Sequence, residues 1–210
     1  MEHKLTENYW NNKILQWEKS YFDNYSNVKV NLLEVIASNF RKPLIKRKEN
    51  FIKIIKDRLK NKIICELGCG SGDLSKKLLK LGAKKYIGLD ISINAIILAK
   101  NKYAESKKLK FIKFDLANNN LILPQADIYF GLGFIDYLTK DEVKKLIEKI
   151  NSIYVFSFPE KKINLMNIIQ YLYLKIAGCP KFYKFDQKDF EKLDNLKFVE
   201  YNNQKFIKNF

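Results

Sequence analysis

The stretch Ile63-Ile64-Cys65-Glu66-Leu67-Gly68-Cys69-Gly70-Ser71-Gly72-Asp73-Leu74 decides the fold of this chain. Its first five residues have the length and apolar character of a buried strand, and three glycines follow at alternate positions. After the last glycine, leucines recur at helical spacing as far as Leu81. We therefore predict a strand, a tight glycine turn and a helix.

The glycine turn is suited to bind a ligand on its main chain, because glycines adopt backbone angles closed to other residues and carry no Cβ. The dinucleotide fingerprint requires Gly-x-Gly-x-x-Gly, whereas this turn reads Gly68-x-Gly70-x-Gly72 and has Asp73 at the place of the third fingerprint glycine. No Lys-Ser or Lys-Thr pair closes the turn. These departures argue against NAD, FAD and the phosphate loop of nucleotide hydrolases.

Three later segments repeat the pattern of an apolar strand that ends in an acid or a glycine. They are Tyr86 to Ser92, which contains Asp90, Phe111 to Leu116, which contains Asp115, and Ala126 to Gly133. Asp90 and Ser92 could also cap the helix that is expected from Ile93. Because carboxyl ends of parallel strands share one edge of a sheet, the acids and the glycine turn are expected to lie together.

Four motifs in this order resemble those of the class I S-adenosylmethionine (SAM) dependent methyltransferases. Glu66 to Gly72 is similar to motif I of that family, and the segment from Ala126 is similar to motif IV. The resemblance implies that Asp90 binds the ribose hydroxyls and that Asp115 meets the adenine amino group. It implies SAM as cofactor and S-adenosylhomocysteine as product. The implied cofactor-binding residues are Glu66, Gly68, Gly70, Gly72, Asp90, Ile91, Asp115, Leu116 and Gly131.

Strands and helices alternate from the glycine turn onward, which predicts an α/β fold with a doubly wound, Rossmann-like, mostly parallel sheet of seven strands. Strands are expected at 62–67, 85–90, 109–114, 126–131 and 153–158, and helices at 73–82, 92–105 and 140–150. Thr139 and Glu142 form a capping box that is expected to begin the last of these helices. Segments 197–201 and 204–208 flank a hairpin turn, so the last strand is expected to be antiparallel.

Two domains are expected: an N-terminal helical lead-in or lid over 1–60, and a methyltransferase domain over 61–210 with a helical insertion at 160–185 near the active site. The lead-in is predicted as helices at 8–22, 27–40 and 44–59, with Pro43 interrupting them. Its aromatic residues either shape the pocket or belong to the core. These residues are Tyr9, Trp10, Trp17 and Tyr21.

The methyl acceptor is expected beyond the fourth strand, where Asp136 and Tyr137 are the candidate catalytic residues. Small-molecule members of the family often carry histidine at the position of Asp136, so a carboxylate base for a hydroxyl is the corresponding expectation here. Tyr137 would place the substrate. Asp136 could instead cap a turn. The Asn/Asp-Pro-Pro-Tyr motif of enzymes that methylate exocyclic amines is missing, as is a cysteine nucleophile near the fourth or fifth strand.

The composition limits which partners, disulfides and metal sites this chain can have. A net charge of +16 is compatible with an anionic substrate or nucleic acid, but only three of the 39 basic residues are arginine, which favours a generally solvated lysine surface. Three cysteines do not indicate a disulfide framework or an iron–sulfur cluster, and the single histidine, His3, leaves no histidine metal site. No metal is predicted.

The polar first residues and the lack of a long apolar run predict no signal peptide, no transmembrane segment and a cytoplasmic location. The favoured function is methylation of a small molecule, at oxygen. Two alternatives stay open: an RNA methyltransferase that uses the lysine surface, and a binding subunit of the same fold without catalysis.

Overall fold

The computed structural model describes residues 2–22, 32–116, 122–161, 174–176, 178–179, 181–191, 193 and 195–210. One seven-stranded sheet organises them, in the order β3-β2-β1-β4-β5-β7-β6. The strands are β1 (Ile63–Leu67), β2 (Lys85–Asp90), β3 (Leu109–Lys113), β4 (Ile128–Gly131), β5 (Ile153–Phe158), β6 (Lys197–Tyr201) and β7 (Gln204–Lys208).

The first five strands are parallel, and β7 pairs antiparallel with both β5 and β6. This arrangement confirms the predicted mostly parallel sheet with an antiparallel finish. The strand order reverses between β2 and β4, on either side of β1, which is the switch point where α/β sheets bind ligands. In the register of β1, Glu66 lies opposite Gly88 on one side and Phe130 on the other.

Helices cover both faces of the sheet, because each face carries a continuous apolar cluster. One cluster joins Phe51, Leu78 and Ile96 from three helices to the sheet, and the other joins Val143 and Leu146 from a fourth helix. The helices are α1 (Glu2–Phe22), α2 (Leu32–Ile55), α3 (Ser75–Lys80), α4 (Ile93–Lys102) and α5 (Lys140–Glu148). Short 3₁₀ helices lie at Lys56–Arg58, Ile135–Tyr137 and Gln187–Phe190.

The predicted interruption at Pro43 is wrong, because α2 runs through this residue from Leu32 to Ile55. Proline removes one helical hydrogen bond and is normally costly inside a helix. The following turns are anchored by Phe51 and Ile55, which are fully buried against the sheet, and this packing carries the helix across Pro43. Residues 27–31 of the predicted second helix lie outside the described residues.

Side-chain caps begin two helices as the sequence indicates. The Ser92 hydroxyl accepts a hydrogen bond from the Ala95 N–H at 3.2 Å, and Thr139 forms a capping box with Glu142. The insertion predicted at 160–185 lies mostly outside the described residues, which omit 162–173, 177 and 180. None of the helices in the described ranges combines the length and apolar character needed to cross a membrane.

Candidate active site

The three glycines after β1 all have positive φ, at 73°, 54° and 78° for Gly68, Gly70 and Gly72. Two of them are also packed too closely for a side chain. A methyl group on Gly72 would lie 2.5 Å from Phe111 Cε1, and one on Gly68 would lie 3.0 Å from Phe134 Cδ2. Glycine is therefore required at these positions by conformation and by packing.

Gly70 differs because its surroundings are open. A methyl group there would meet only Ile14 Cδ1 of α1, at 3.8 Å, among the described residues. The peptide at the middle of the turn thus faces a space bounded by α1, at the carboxyl end of β1. This geometry fits a ligand that lies directly on the main chain.

Asp90 ends β2 beside this space, and its carboxylate is held by the backbone. One oxygen accepts a hydrogen bond from the Gly70 N–H at 2.8 Å and the other accepts one from the Ser92 N–H at 2.9 Å. Burial raises the pKa of Asp90 despite these hydrogen bonds. Because an ionised carboxylate has about four acceptor sites, two remain for a ligand such as a vicinal diol.

Glu66 is turned into the protein beneath the glycine turn. Only 6% of this residue is exposed, and its carboxylate accepts a short hydrogen bond from the hydroxyl of the fully buried Tyr86. Burial raises the pKa of Glu66 to about 8, although the Tyr86 hydrogen bond and the charge of Lys48 act to lower it. The carboxyl is consequently neutral in most molecules at pH 7.

Asp73 occupies the position of the missing fingerprint glycine and binds two lysines. Its oxygens lie 3.0 Å from Lys48 Nζ of α2 and 2.9 Å from Lys102 Nζ of α4. Burial acts to raise the pKa of Asp73, but the two ammonium groups hold it below its ordinary value. These ion pairs tie the turn to the two flanking helices.

The remaining predicted cofactor residues lie at or just after the carboxyl ends of β2, β3 and β4. Ile91, Asp115 and Leu116 are half-buried, and Gly131 ends β4. Gly131 is confined, since a methyl group there would lie 3.0 Å from both the Leu67 carbonyl oxygen and Phe134 Cβ. The structure thus brings all nine predicted cofactor residues to one edge of the sheet, with Glu66 directed inward.

Helix α1 crosses the carboxyl edge of the sheet. One face of α1 contacts residues at or just after the ends of β1, β2 and β3. Glu7 forms an ion pair with Lys113 of β3 at 2.5 Å, Asn11 accepts a hydrogen bond from the Ser92 hydroxyl at 2.8 Å, and Ile14 reaches the glycine turn. Positions 7, 11 and 14 share a helix face because their spacing follows the helical repeat. Trp17 and Tyr21, which were also candidates, have side chains outside the described set.

Asp136 lies in the 3₁₀ helix after β4 and is 3% exposed. Its Oδ2 is 3.9 Å from Arg47 Nη1 of α2, and its Oδ1 has no hydrogen-bond partner among the described residues. Burial raises the pKa of Asp136 to about 6, against the opposing effect of Arg47. The carboxylate does not cap the 3₁₀ helix, which begins without a side-chain cap.

Tyr137 contacts aromatic rings from two distant segments. Its ring centroid lies 5.4 Å from that of Trp10 and 6.0 Å from that of Phe182, both edge to face. Burial raises the pKa of Tyr137 well above its ordinary value, with further contributions from Cys179 and Asp136. The hydroxyl therefore stays protonated and can donate a hydrogen bond, but it is unsuited to act as a base.

Sequence reasoning missed four residues of this arrangement: Arg47, Tyr86, Phe182 and Cys179. Arg47 was visible only as one of three arginines among many lysines. Tyr86 fills a strand position that any large apolar residue could fill, and its bond to Glu66 depends on the register of β1 and β2. Within the described ranges, no group of histidine, cysteine, aspartate and glutamate side chains could hold a metal ion.

Comparison with known sequences finds a family model that matches the central strands. The family described as "Methyltransferase domain" matches residues 64–154, from β1 to the start of β5. A ribosomal protein L11 methyltransferase of Haemophilus ducreyi is 39% identical over 70 residues, which cover 33% of this chain and 24% of that protein. Protein arginine N-methyltransferase 1 of Saccharomyces cerevisiae is 26% identical over 193 residues, covering 85% and 53%. This chain thus spans about a quarter to a half of the curated relatives' length.

Solved structures share the whole fold. A magnesium protoporphyrin IX methyltransferase from Synechocystis PCC 6803, crystallised with S-adenosylhomocysteine, superposes with a TM-score of 0.69 over 98% of this chain and 97% of the other. The pyocyanin biosynthetic protein PhzM gives a TM-score of 0.60 over 84% and 56%. Their sequence identities of 17% and 15% support the fold alone.

Proposed function

From the premise that this chain carries the class I SAM-dependent methyltransferase domain, we propose that it transfers a methyl group from SAM to a hydroxyl of a small molecule. The observation that carries the proposal is the open peptide at Gly70, flanked by Asp90 and covered by α1. A ligand with a vicinal diol can lie there and use the free acceptor sites of Asp90.

The cofactor residues divide the work by position. When SAM is bound, Asp90 would receive the ribose hydroxyls, Asp115 would meet the adenine amino group, and the cofactor would lie on the main chain of the glycine turn at Gly70. SAM supplies a methyl group on a cationic sulfur, already activated for displacement. Because Glu66 lies within the turn with a raised pKa, a nearby cationic ligand would favour its ionised form.

The protein then has to orient the acceptor, remove its proton and exclude water. Asp136 takes the proton of the attacking hydroxyl at Oδ1, which has no hydrogen-bond partner among the described residues, and the neutral Tyr137 donates a hydrogen bond that places the acceptor. Trp10 and Phe182 flank Tyr137 and restrict the entry of water. A cytoplasmic location is part of the proposal.

Macromolecular acceptors are the second candidate, because the net charge is +16 and the named relatives act on proteins. RNA binding through lysines would weaken steeply as salt rises. A small acceptor is favoured by the aromatic enclosure around Tyr137. Incubation with labelled SAM and separate pools of hydroxylated metabolites, RNA and ribosomal protein distinguishes these acceptors.

The cofactor assignment is tested by calorimetric titration with S-adenosylhomocysteine. Wild-type protein is expected to bind it, and Asp90→Asn is expected to weaken binding about 10- to 100-fold, because hydrogen bonds to a charged group are lost. Asp127→Asn is the matched control: Asp127 also accepts a backbone N–H, from Ile63 at 2.8 Å, but at the opposite edge of the sheet.

The control variant should bind with wild-type affinity. Equal losses in both variants would mean that Asp90 acts through the fold and not through the ligand. Binding of S-adenosylhomocysteine without methyl transfer to any acceptor pool would favour the alternative of a non-catalytic binding subunit.

A further inference from the structure

Arg47 brings its guanidinium to the acceptor side of the site. Its Nη1 lies where a side chain on Gly133 would begin, 2.5 Å from an added methyl group, so the absence of a side chain there makes room for it. Only about one fifth of the Arg47 side chain is exposed. The helix α2 therefore brings a partly buried cation to the loop that follows β4.

The ion pair between Arg47 and Asp136 leaves N–H donors of Arg47 and one oxygen of Asp136 without a hydrogen bond to the described residues. At 3.9 Å, Nη1 and Oδ2 form an ion pair but lie too far apart for a hydrogen bond. Arg47 has no hydrogen bond to the residues that the structure describes, although a guanidinium offers five N–H donors in a planar fork. Asp136 Oδ1 also lacks a partner among them. A buried acceptor such as Asp136 Oδ1 is costly to leave in this state, and a ligand that donates to it would remove the cost.

Aromatic rings stand beside these two charges. Tyr137 follows Asp136 directly in the chain and meets Trp10 and Phe182 edge to face. Phe182 is held there because the adjacent Tyr183 N–H donates to the Asp136 carbonyl oxygen at 2.7 Å. All three rings are partly exposed, so part of their surface is accessible to a ligand.

We propose that this site takes an aromatic hydroxy acid, whose carboxylate is bound by Arg47 while the neighbouring hydroxyl donates to Asp136 Oδ1. The planar guanidinium matches a carboxylate in a two-point contact, and the rings of Trp10, Tyr137 and Phe182 accommodate a flat apolar body. The inference rests on the proposed methyl transfer and names its acceptor class. Arg47 is then the residue that determines specificity.

The test uses protein saturated with S-adenosylhomocysteine and titrated with two matched pairs of probes. These are 2-hydroxybenzoate with 2-hydroxybenzamide, and 3-hydroxy-2-naphthoate with its carboxamide. Each acid is expected to bind at least about 10-fold more tightly than its amide, as for charged hydrogen bonds. Arg47→Gln should abolish this preference and Arg47→Lys should keep part of it, since lysine retains the charge without the fork.

Lys46→Gln removes the same charge from the neighbouring exposed residue and should leave the preference unchanged. Equal binding of acids and amides by wild type, or no binding of either acid, would overturn the inference. An unchanged preference in Arg47→Gln would also overturn it, and would leave Arg47 as a positioning residue for Asp136 alone. Arg47→Gln must still bind S-adenosylhomocysteine, so a loss limited to the acids separates this inference from the cofactor assignment.

Discussion

Asp90 and Asp136 are both buried carboxylates at the carboxyl edge of the sheet, yet their surroundings differ. The two oxygens of Asp90 accept backbone N–H groups from Gly70 and Ser92, whereas Asp136 has one oxygen without a hydrogen-bond partner among the described residues and the other 3.9 Å from Arg47. The first carboxylate is completed by the backbone at the ends of two adjacent strands, β1 and β2. The second is approached by a residue from a distant helix.

The same contrast extends to the regions around them. The cofactor region, defined as residues 66–73 and Asp90, is dense: glycines contact aromatic rings and Asp73 binds two lysines. The acceptor region, defined as Arg47, Asp136, Tyr137, Trp10 and Phe182, leaves polar atoms for a ligand to complete. We infer that changes at the glycines and Glu66 of the cofactor region act mainly on stability, that Asp90 acts on cofactor binding, and that changes in the acceptor region act mainly on turnover.

The largest effect is expected from Asp136→Asn, which should lower kcat/KM about 10²- to 10⁴-fold, the usual contribution of a general base. In wild type, kcat/KM should rise with pH through about 6, because only the ionised carboxylate accepts a proton and its pKa is raised to about 6. Steady-state rates between pH 5 and 8.5 test both points.

If changes in the acceptor region act mainly on turnover, Asp136→Asn must still fold normally. A raised pKa in the folded state means that the buried charge costs stability above that pH, so Asp136→Asn should be at least as stable to urea as wild type at pH 7 and above. A variant that loses activity only because it unfolds would contradict the distinction between the two regions.

A stability effect of about 2–4 kcal/mol is expected from Gly72→Ala in the cofactor region. The new methyl group would lie 2.5 Å from Phe111 Cε1 and would also be forced to a positive φ of 78°. Urea denaturation measures the loss.

Gly82→Ala separates these two causes. Gly82 has a positive φ of 101°, but a methyl group there would have its nearest contact at 3.6 Å, with Lys60 Cα. Gly82→Ala should therefore lose only the stability that the positive φ costs a side chain, about 1–2 kcal/mol. Equal losses at both positions would show that the density around Gly72 is unimportant.

The smallest effect is expected from Glu66→Gln, which should change how stability depends on pH. The folded-state pKa of Glu66 is about 8 against an ordinary 4.5, so the folded protein retains a proton that the unfolded chain releases. Wild-type stability should therefore gain less, or fall, as pH rises from about 4.5 to 8, whereas glutamine has no proton to release. The variant should become the more stable by on the order of 1 kcal/mol or more at pH 8.

Urea titrations of both proteins at pH 5, 6.5 and 8 measure this difference. Glutamine keeps an oxygen that can accept the Tyr86 hydroxyl, so the core contact is preserved. Parallel pH dependences in the two proteins would mean that the Glu66 carboxyl ionises normally, and would weaken the description of the cofactor region as closed.

The amino-acid sequence was sufficient for the sheet, the glycine turn and Asp90, because each depends on residues close together in the chain. Alternating strands and helices specify a parallel sheet, and strand ends then place the turn and the acids at one edge without further information. The same local signals identified the caps at Ser92 and Thr139. Pro43 was misjudged because packing of Phe51 and Ile55, far along the same helix, outweighs a local preference.

Only the tertiary structure decided the pKa values and the partners of Glu66 and Asp136. Glu66 has its pKa set by burial and by Tyr86 from the adjacent strand, and Asp136 has its pKa set by burial and by Arg47 from 89 positions earlier in the chain. Burial and long-range partners determine the free energy of a charge, and neither is encoded in the spacing of neighbouring residues. The sequence by itself thus determined where the chemistry can occur, while packing determined which groups are charged, which are completed, and which await a ligand.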